Sequence, residues 1–417
     1  MPWRLLLQTR KSAGLEENMM NPKNRITCLA ELPTRPVTLD TMCWNQTGTW
    51  RFLTPVAVNK TPPCRLQCPA GMPIPGFINA LIEKGATDAL AVVLTQNPLP
   101  GLTSRLCYHP CQSKCIRREL DQEIAIQRIE RHVADNGEIK SQVKVQPQTG
   151  RIAVFGAGPL GLSCAYFLKM KGFAAVVMDI HSKPGGSLLN TITDKVTPEV
   201  IGHDIERLIK LSQMELLLGK TILADDISTI AKQFDVVILD PTTNDVKSVE
   251  AGFPATFNPF DEMVLHSKVA AIKLPPKLVP FKPVMIAHYI AAGHLTAIRI
   301  ADFIDGNKAT ATHLVSIDGL VTKNQIKLDA FRKSVTAFNG KANRHKVWNL
   351  EQVMTEANRC LSCGTCNQCG ICSLYCPETS IEKTRNEISF DLYHCKGCGI
   401  CAHECPRGVI AMEDIIS

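Results

Sequence analysis

The stretch that decides how this chain is built runs CLSCGTCNQCGICSLYCP over residues 360–377 and CKGCGICAHECP over residues 395–406. It holds ten of the eighteen cysteines. Eight of them form two copies of C-x2-C-x2-C-x3-C-P: Cys366, Cys369, Cys372, Cys376 with Pro377, and Cys395, Cys398, Cys401, Cys405 with Pro406. This spacing suits thiolate ligation of two [4Fe-4S] clusters, the fourth cysteine of each run crossing to the other cluster. Cys366, Cys369, Cys372 and Cys405 are expected around one cluster, and Cys395, Cys398, Cys401 and Cys376 around the second. Zinc knuckles do not repeat this spacing, and a disulfide framework suits a small secreted domain. Cys360 and Cys363 are left over.

Residues 353–417 therefore read as an α+β bacterial-type ferredoxin domain. The chain has 417 residues, room for two to four domains, and 45% of them are hydrophobic, as in a globular protein. The start, MPWRLLLQTRK, is basic but carries too short an apolar core for a secretory signal. Clustered cysteines then point to a reducing, cytoplasmic setting. No apolar run suggests a membrane span. The net charge of +7 is mild, and no nucleic-acid motif is present. Residues 1–46 read as an extension without trusted periodicity, with Cys28 and Cys43 as ordinary thiols.

Between residues 47 and 145 the sequence predicts helices. Ile74, Phe77, Ile78, Leu81 and Ile82 recur at helical spacing, with Gly85 as the stop. A second helix covers about 87–94 and ends before Asn97-Pro98. Five cysteines flank this pair: Cys64, Cys68, Cys107, Cys111 and Cys115. On a further helix, about 124–134, Glu130 shares the apolar face of Ile126 and Val133. A buried carboxylate needs a partner there, either a salt bridge or a metal.

After a polar linker, RIAVFGAGPLGLSCAYFLKMKGFAAVVMDI reads as strand, glycine turn, helix, strand and acid. Gly156, Gly158, Pro159 and Gly161 form the turn, and Asp179 ends the second strand. This is the dinucleotide-binding fingerprint in its required context. A diphosphate would sit at the helix N-terminus, and Asp179 would take ribose hydroxyls. A helix near 203–211 and a strand at 236–239 continue this α/β Rossmann-like domain, residues 150–310. Residues 311–352 are a basic connecting segment, carrying Lys323, Lys327, Arg332, Lys333, Lys341, Arg344 and Lys346.

The order C-x3-C-P, helical hairpin, NPLPGLTSRLC, P-C-x3-C and IAIQRIERHVAD resembles the N-terminal iron–sulfur domain of the glutamate synthase small-subunit family. The resemblance implies two [4Fe-4S] clusters there. Carried over by position, Cys68, Cys107, Cys111 and Glu130 match one ligand set, with His109 as an alternative to Glu130. Cys64 and Cys115 match half of the other. The upstream C-x2-C that should complete it is missing, and EANRCLSCG around Cys360 and Cys363 resembles it. Either these two complete the cluster, or the cluster is lost, or they are idle thiols.

The same resemblance implies FAD at the glycine loop, with Gly185 and Gly186 in the segment after the acid. The chain departs from the family after Leu239. The family's Ala-Thr-Gly is replaced by Asp240-Pro241-Thr242, and Phe281-Lys282-Pro283 stands before the closing helix. The family's NAD(P)H domain is absent between them, so the FAD domain reads as truncated. The combination also resembles the flavoprotein partner of dissimilatory sulfite reductase and fusions beside 2-oxoacid:ferredoxin oxidoreductases. The implied role is the electron-transfer subunit of a larger oxidoreductase, with a catalytic partner subunit and a ferredoxin- or NAD(P)H-linked one. Two alternatives stay open: a self-sufficient NAD(P)H:acceptor oxidoreductase, and a structural adaptor with a relic flavin fold.

Overall fold

The computed structural model describes residues 46–139, 145–191, 196–219, 232–240, 269–271, 282–306, 314–315, 319–331, 347–383 and 388–415. Cys28, Cys43, most of the 1–46 extension and the basic residues 332–346 lie outside the described residues.

The first strand, β1 (Leu53–Ala57), does not join the helices that follow it. It pairs antiparallel with the chain's final strand, Ile410–Asp414, in the register Leu53↔Asp414 to Ala57↔Ile410. Pro55 is tolerated because this is a two-stranded sheet with edges free. The next residues continue the seam. Val58 N–H donates to Val409 O (2.9 Å), Lys60 N–H to Gly364 O (2.8 Å), and Thr61 bridges Leu320. Residues 47–60, read from sequence as the start of the helical segment, thus pack along the C-terminal module.

The helices follow: α1 (Pro63–Gln67), α2 (Ile74–Lys84), α3 (Ala86–Leu94), α4 (Pro100–Leu106), α5 (Pro110–Ser113) and α6 (Ile126–Asn136). Helix α2 buries Phe77, Ile78 and Leu81, each worth roughly 1.5–3 kcal/mol. It stops at Gly85, whose φ of 90° suits a glycine.

The Rossmann-like unit comprises β2 (Arg151–Phe155), α7 (Pro159–Met170), β3 (Ala174–Asp179), α8 (Pro198–Ser212), β4 (Glu215–Leu218), β5 (Val236–Leu239) and β6 (Val269–Ala271). Its strands are all parallel, in the order β4-β3-β2-β5-β6. Alternation along β2 sends Ile152 and Val154 to the main core and Ala153 and Phe155 to the opposite face. Helix α9 (Ile286–Ile304) packs on α7 so closely that a Cβ on Gly293 would lie 2.7 Å from Leu160 O. Pro283–Ile304 is long and apolar enough to cross a membrane by length and composition alone. Half of its most apolar window is nevertheless buried in the protein.

The main core is continuous from the N-terminal helices through α7, α8 and α9 to α10 (Leu350–Asn358). Polar contacts pin the units together. Asp204 of α8 accepts Leu102 N–H (2.8 Å), and Arg207 donates to Ala134 O (2.8 Å). The C-terminal module holds α11 (Ile371–Leu374), the hairpin β7 (Ile381–Lys383) and β8 (Ile388–Phe390), α12 (Ile400–Glu404) and β9 (Ile410–Asp414).

Candidate iron–sulfur and dinucleotide sites

Three C-x2-C-G loops share one backbone shape. In each, the residue before the second cysteine and the glycine after it have positive φ. The pairs are Ser362 (51°) and Gly364 (67°), Gln368 (56°) and Gly370 (81°), and Gly397 (69°) and Gly399 (76°). The left-handed residue turns its N–H inward. Ser362 N–H reaches Cys360 Sγ (3.5 Å) and Gln368 N–H reaches Cys366 Sγ (3.4 Å). Such nests of N–H groups favour anionic sulfur. Cys360-Leu361-Ser362-Cys363 thus folds like the two ferredoxin loops. The recurrence of C-x2-C-G, visible in the sequence, is the signal that reading by ligand count overlooked.

Four cavities of nearly equal size each bring together four of the singled-out side chains. Their empty spaces, mouths included, are about 340, 390, 370 and 360 Å³. The first is lined by Cys376, Cys395, Cys398 and Cys401, and another by Cys366, Cys369, Cys372 and Cys405. A third is lined by Cys68, Cys107, Cys111 and Glu130, with His109 beside them. The fourth is lined by Cys64, Cys115, Cys360 and Cys363. Among the described residues no three His, Cys, Asp or Glu side chains converge on a point fit for a single ion. Each quartet instead surrounds a hollow, which fits a cluster rather than one zinc.

Burial sets the chemistry of these thiols. It pushes Cys360 up to about 11, and it raises Cys64 well above the usual thiol value, with Cys115, Cys360 and Cys363 adding repulsion. Burial likewise lifts Cys68 to about 11 and Cys107 to about 12. Thiolates here need positive charge within the hollow, which iron would supply.

Glu130 is prepared for one free oxygen. Its Oε1 accepts Thr103 Oγ1–H (2.5 Å) and Asn97 Nδ2–H (3.1 Å). Its Oε2 lies 3.7 Å from His109 Nε2, which is buried and has no hydrogen-bond partner. His109 is left-handed (φ 52°), and its N–H reaches Cys107 Sγ (3.3 Å).

Next to Cys360 and Cys115 in sequence, an ion network links residues far apart in the chain. Arg117 pairs with Asp121 through two bonds (2.7 and 2.6 Å) and donates to Arg359 O (2.9 Å). Arg359 bonds Glu356 (2.8 and 2.7 Å), Asp121 (2.9 Å) and Gln122 O (2.8 Å). Glu356 also accepts Ala125 N–H (2.7 Å), capping the start of α6.

At the glycine loop, Gly156 has φ 112°. A Cβ on Gly161 would collide with Gly156 O, so the third glycine is fixed by close packing. Gly185 N–H donates to Ala157 O (2.8 Å), and Gly186 rests on Gly158, a Cβ there lying 3.0 Å from Gly158 Cα. The bare cradle fits a dinucleotide. Two acids modify it. Asp179 accepts Ala157 N–H (2.6 Å) on one oxygen and His181 N–H (2.8 Å) on the other. It therefore braces the loop, beyond the ribose role read from sequence. Asp240, fully buried, accepts Gly161 N–H (3.1 Å). A carboxylate thus shares the helix N-terminus with the expected diphosphate. Sequence reading registered Asp240 only as a departure from Ala-Thr-Gly.

Helix α9 connects the two kinds of site. Ala287, near its start, lines the Cys68 hollow, and Gly293 abuts the glycine-loop helix at Leu160 O.

Residues 57–142 match the family model for dihydropyrimidine dehydrogenase domain II with its 4Fe-4S cluster. Residues 154–204 match an NAD(P)-binding Rossmann-like domain, and residues 388–411 a 4Fe-4S binding domain. The NADPH-Fe(3+) oxidoreductase subunit beta of Geobacter sulfurreducens is 31% identical over 192 residues, covering 43% of this chain and 28% of that protein. The NADP(+)-dependent formate dehydrogenase subunit beta of Moorella thermoacetica is 27% identical, covering 43% and 29%. The glutamate synthase [NADPH] small chain of Bacillus subtilis is 32% identical, covering 41% and 36%. The chain thus spans well under half the length of these relatives. The resemblance to the glutamate synthase small-chain family holds over the iron–sulfur and Rossmann segments, joined here to a ferredoxin segment.

Proposed function

We propose that this chain is the electron-transfer subunit of a larger cytoplasmic oxidoreductase, holding four [4Fe-4S] clusters and one FAD. The reading rests on one observation above all: sixteen side chains from four sequence regions line four hollows of like size, four to each. The ligand sets are those quartets, with Glu130 as the non-cysteine member. Clusters exchange single electrons and flavin one or two, so together they join hydride chemistry to a one-electron wire.

The chain's own residues hold this arrangement rigid. Cys360 and Cys363 tie the ferredoxin to the N-terminal helices, the Arg117–Asp121–Arg359–Glu356 network bonds across that seam, and β1 pairs with the module's last strand. Gly161 and Asp179 hold the dinucleotide loop, and α9 fixes its distance to the Cys68 hollow. The family's NAD(P)H domain has no counterpart between residues 242 and 283, so a partner subunit supplies or accepts the hydride. The names of the relatives, beta subunits among them, fit a chain that works within a complex.

Anaerobic quantitation of iron and flavin tests the reading. About sixteen irons and one flavin per chain are expected, and NADPH alone should not bleach the flavin. Prompt bleaching by NADPH would favour a self-sufficient oxidoreductase. One observation favours a second reading, the adaptor with a relic flavin fold: the Asp240 carboxylate at Gly161 N–H opposes a diphosphate there. That reading expects the irons without the flavin.

A further inference from the structure

Arg407 occupies an unusual position between two of the hollows. It follows Cys405-Pro406, is 9% exposed, and lines the Cys366, Cys369, Cys372 and Cys405 hollow. Its carbonyl accepts Gly364 N–H (2.9 Å), and Gly364 directly follows Cys363. Its positive charge acts on Cys360 and Cys363 and also on Cys366. The guanidinium lies 5.3 Å from the ring centre of Phe331, and its Nε is buried without a hydrogen-bond partner. Among the described residues no carboxylate pairs with it.

A cation so nearly buried is costly unless an anion compensates it. The aromatic face of Phe331 supplies only part of that. Four thiolates around a cubane leave net negative charge, and each one-electron reduction adds one more. A fixed cation therefore favours the reduced form, since net charge and burial set a cluster's potential.

We propose that Arg407 is the shared counter-cation of two clusters, the one held by Cys64, Cys115, Cys360 and Cys363 and the one held by Cys366, Cys369, Cys372 and Cys405, and that it raises the reduction potential of both. It tunes the junction where the N-terminal wire meets the ferredoxin. It lines neither of the other two hollows. This inference rests on the ligand sets proposed above.

The test is an anaerobic redox titration of the full chain, followed by EPR, in Arg407→Gln and Arg407→Lys. In Arg407→Gln, two of the four signals should shift downward, each by about tenfold in its reduction equilibrium or more, that is about 59 mV for a one-electron couple. The remaining two should stay put, and Arg407→Lys should restore the wild-type values. Loss of iron in Arg407→Gln, with both clusters and potentials kept in Arg407→Lys, would also support the role of charge. A shift in one cluster only, in all four, in none, or iron loss in both variants would overturn it. Iron analysis of the wild-type chain separates the two levels: fewer than about sixteen irons sinks the ligand sets, whereas full iron with unmoved potentials sinks Arg407 alone.

Discussion

Replacing Cys360 and Cys363 together by alanine should remove one cluster and leave three. The ferredoxin quartets keep all eight of their cysteines, and the Cys68, Cys107, Cys111 and Glu130 hollow is untouched. Iron should fall by a quarter, from about sixteen to about twelve per chain. The module should stay attached, because the β1–β9 register, the Thr61–Leu320 bridge and the Arg359 network do not depend on those thiols. The sharper form of the experiment is a cycle. Cys64→Ala with Cys115→Ala should also give about twelve irons, and the quadruple variant should again give about twelve, because both pairs serve one cluster. Iron and protein are measured on anaerobically purified chain, with EPR to count reduced signals. An unchanged iron content in Cys360→Ala with Cys363→Ala would refute the shared cluster. About eight irons in the quadruple variant would refute it too, since each pair would then serve its own.

Arg359→Ala should cost about 3 kcal/mol, read by denaturant unfolding, because it leaves buried Glu356 and half-buried Asp121 with fewer partners; a cost under about 1 kcal/mol, the range of an exposed pair, would show the network to be peripheral. His294 stacks on Phe167 (3.7 Å) with a buried, unpartnered Nδ1, and burial, with Lys171 second, lowers it from 6.5 to about 4. The unfolded chain therefore takes up this proton first as pH falls, so stability should drain by about 2–3 kcal/mol between pH 6.5 and 4. His294→Phe should keep the stack and flatten the thermal midpoint over that window relative to wild type; an equal slope in both would contradict the assignment. Asp240→Asn removes a like charge from the helix N-terminus and should tighten flavin binding about tenfold, measured as flavin retained per chain and by titration of the flavin-free protein. No gain would mean that the carboxylate does not oppose the cofactor.

Much of this chain was legible because its chemistry is locally written. The cysteine spacing of residues 366–405 sets its own loop geometry. The strand–Gly156-x-Gly158-x-x-Gly161–helix unit needs only neighbours within about thirty residues. Glu130 could be placed on a buried face from helical period alone. Ligand arithmetic went further and paired Cys64 and Cys115 with Cys360 and Cys363, but it left three outcomes open, since no sequence rule sets the distance between segments so far apart. Tertiary packing brought those four thiols to one hollow and gave Ser362 and Gly364 the backbone of a cluster loop.

Other features had no local trace. Residues 53–57 look like a short strand with a proline, and nothing nearby names Ile410–Asp414 as the partner. Asp240 ends its strand as an unremarkable acid, and only the parallel order of β2 and β5 carries it to Gly161 N–H. Arg407 reads as one more basic residue until folding sets it between two quartets. The sequence by itself determined which groups can bind iron and a dinucleotide, because ligand type and loop shape are local properties. The tertiary structure decided which groups share a cavity, which charges face it, and that the ferredoxin is woven into the first strand, because those depend on contacts between segments hundreds of residues apart.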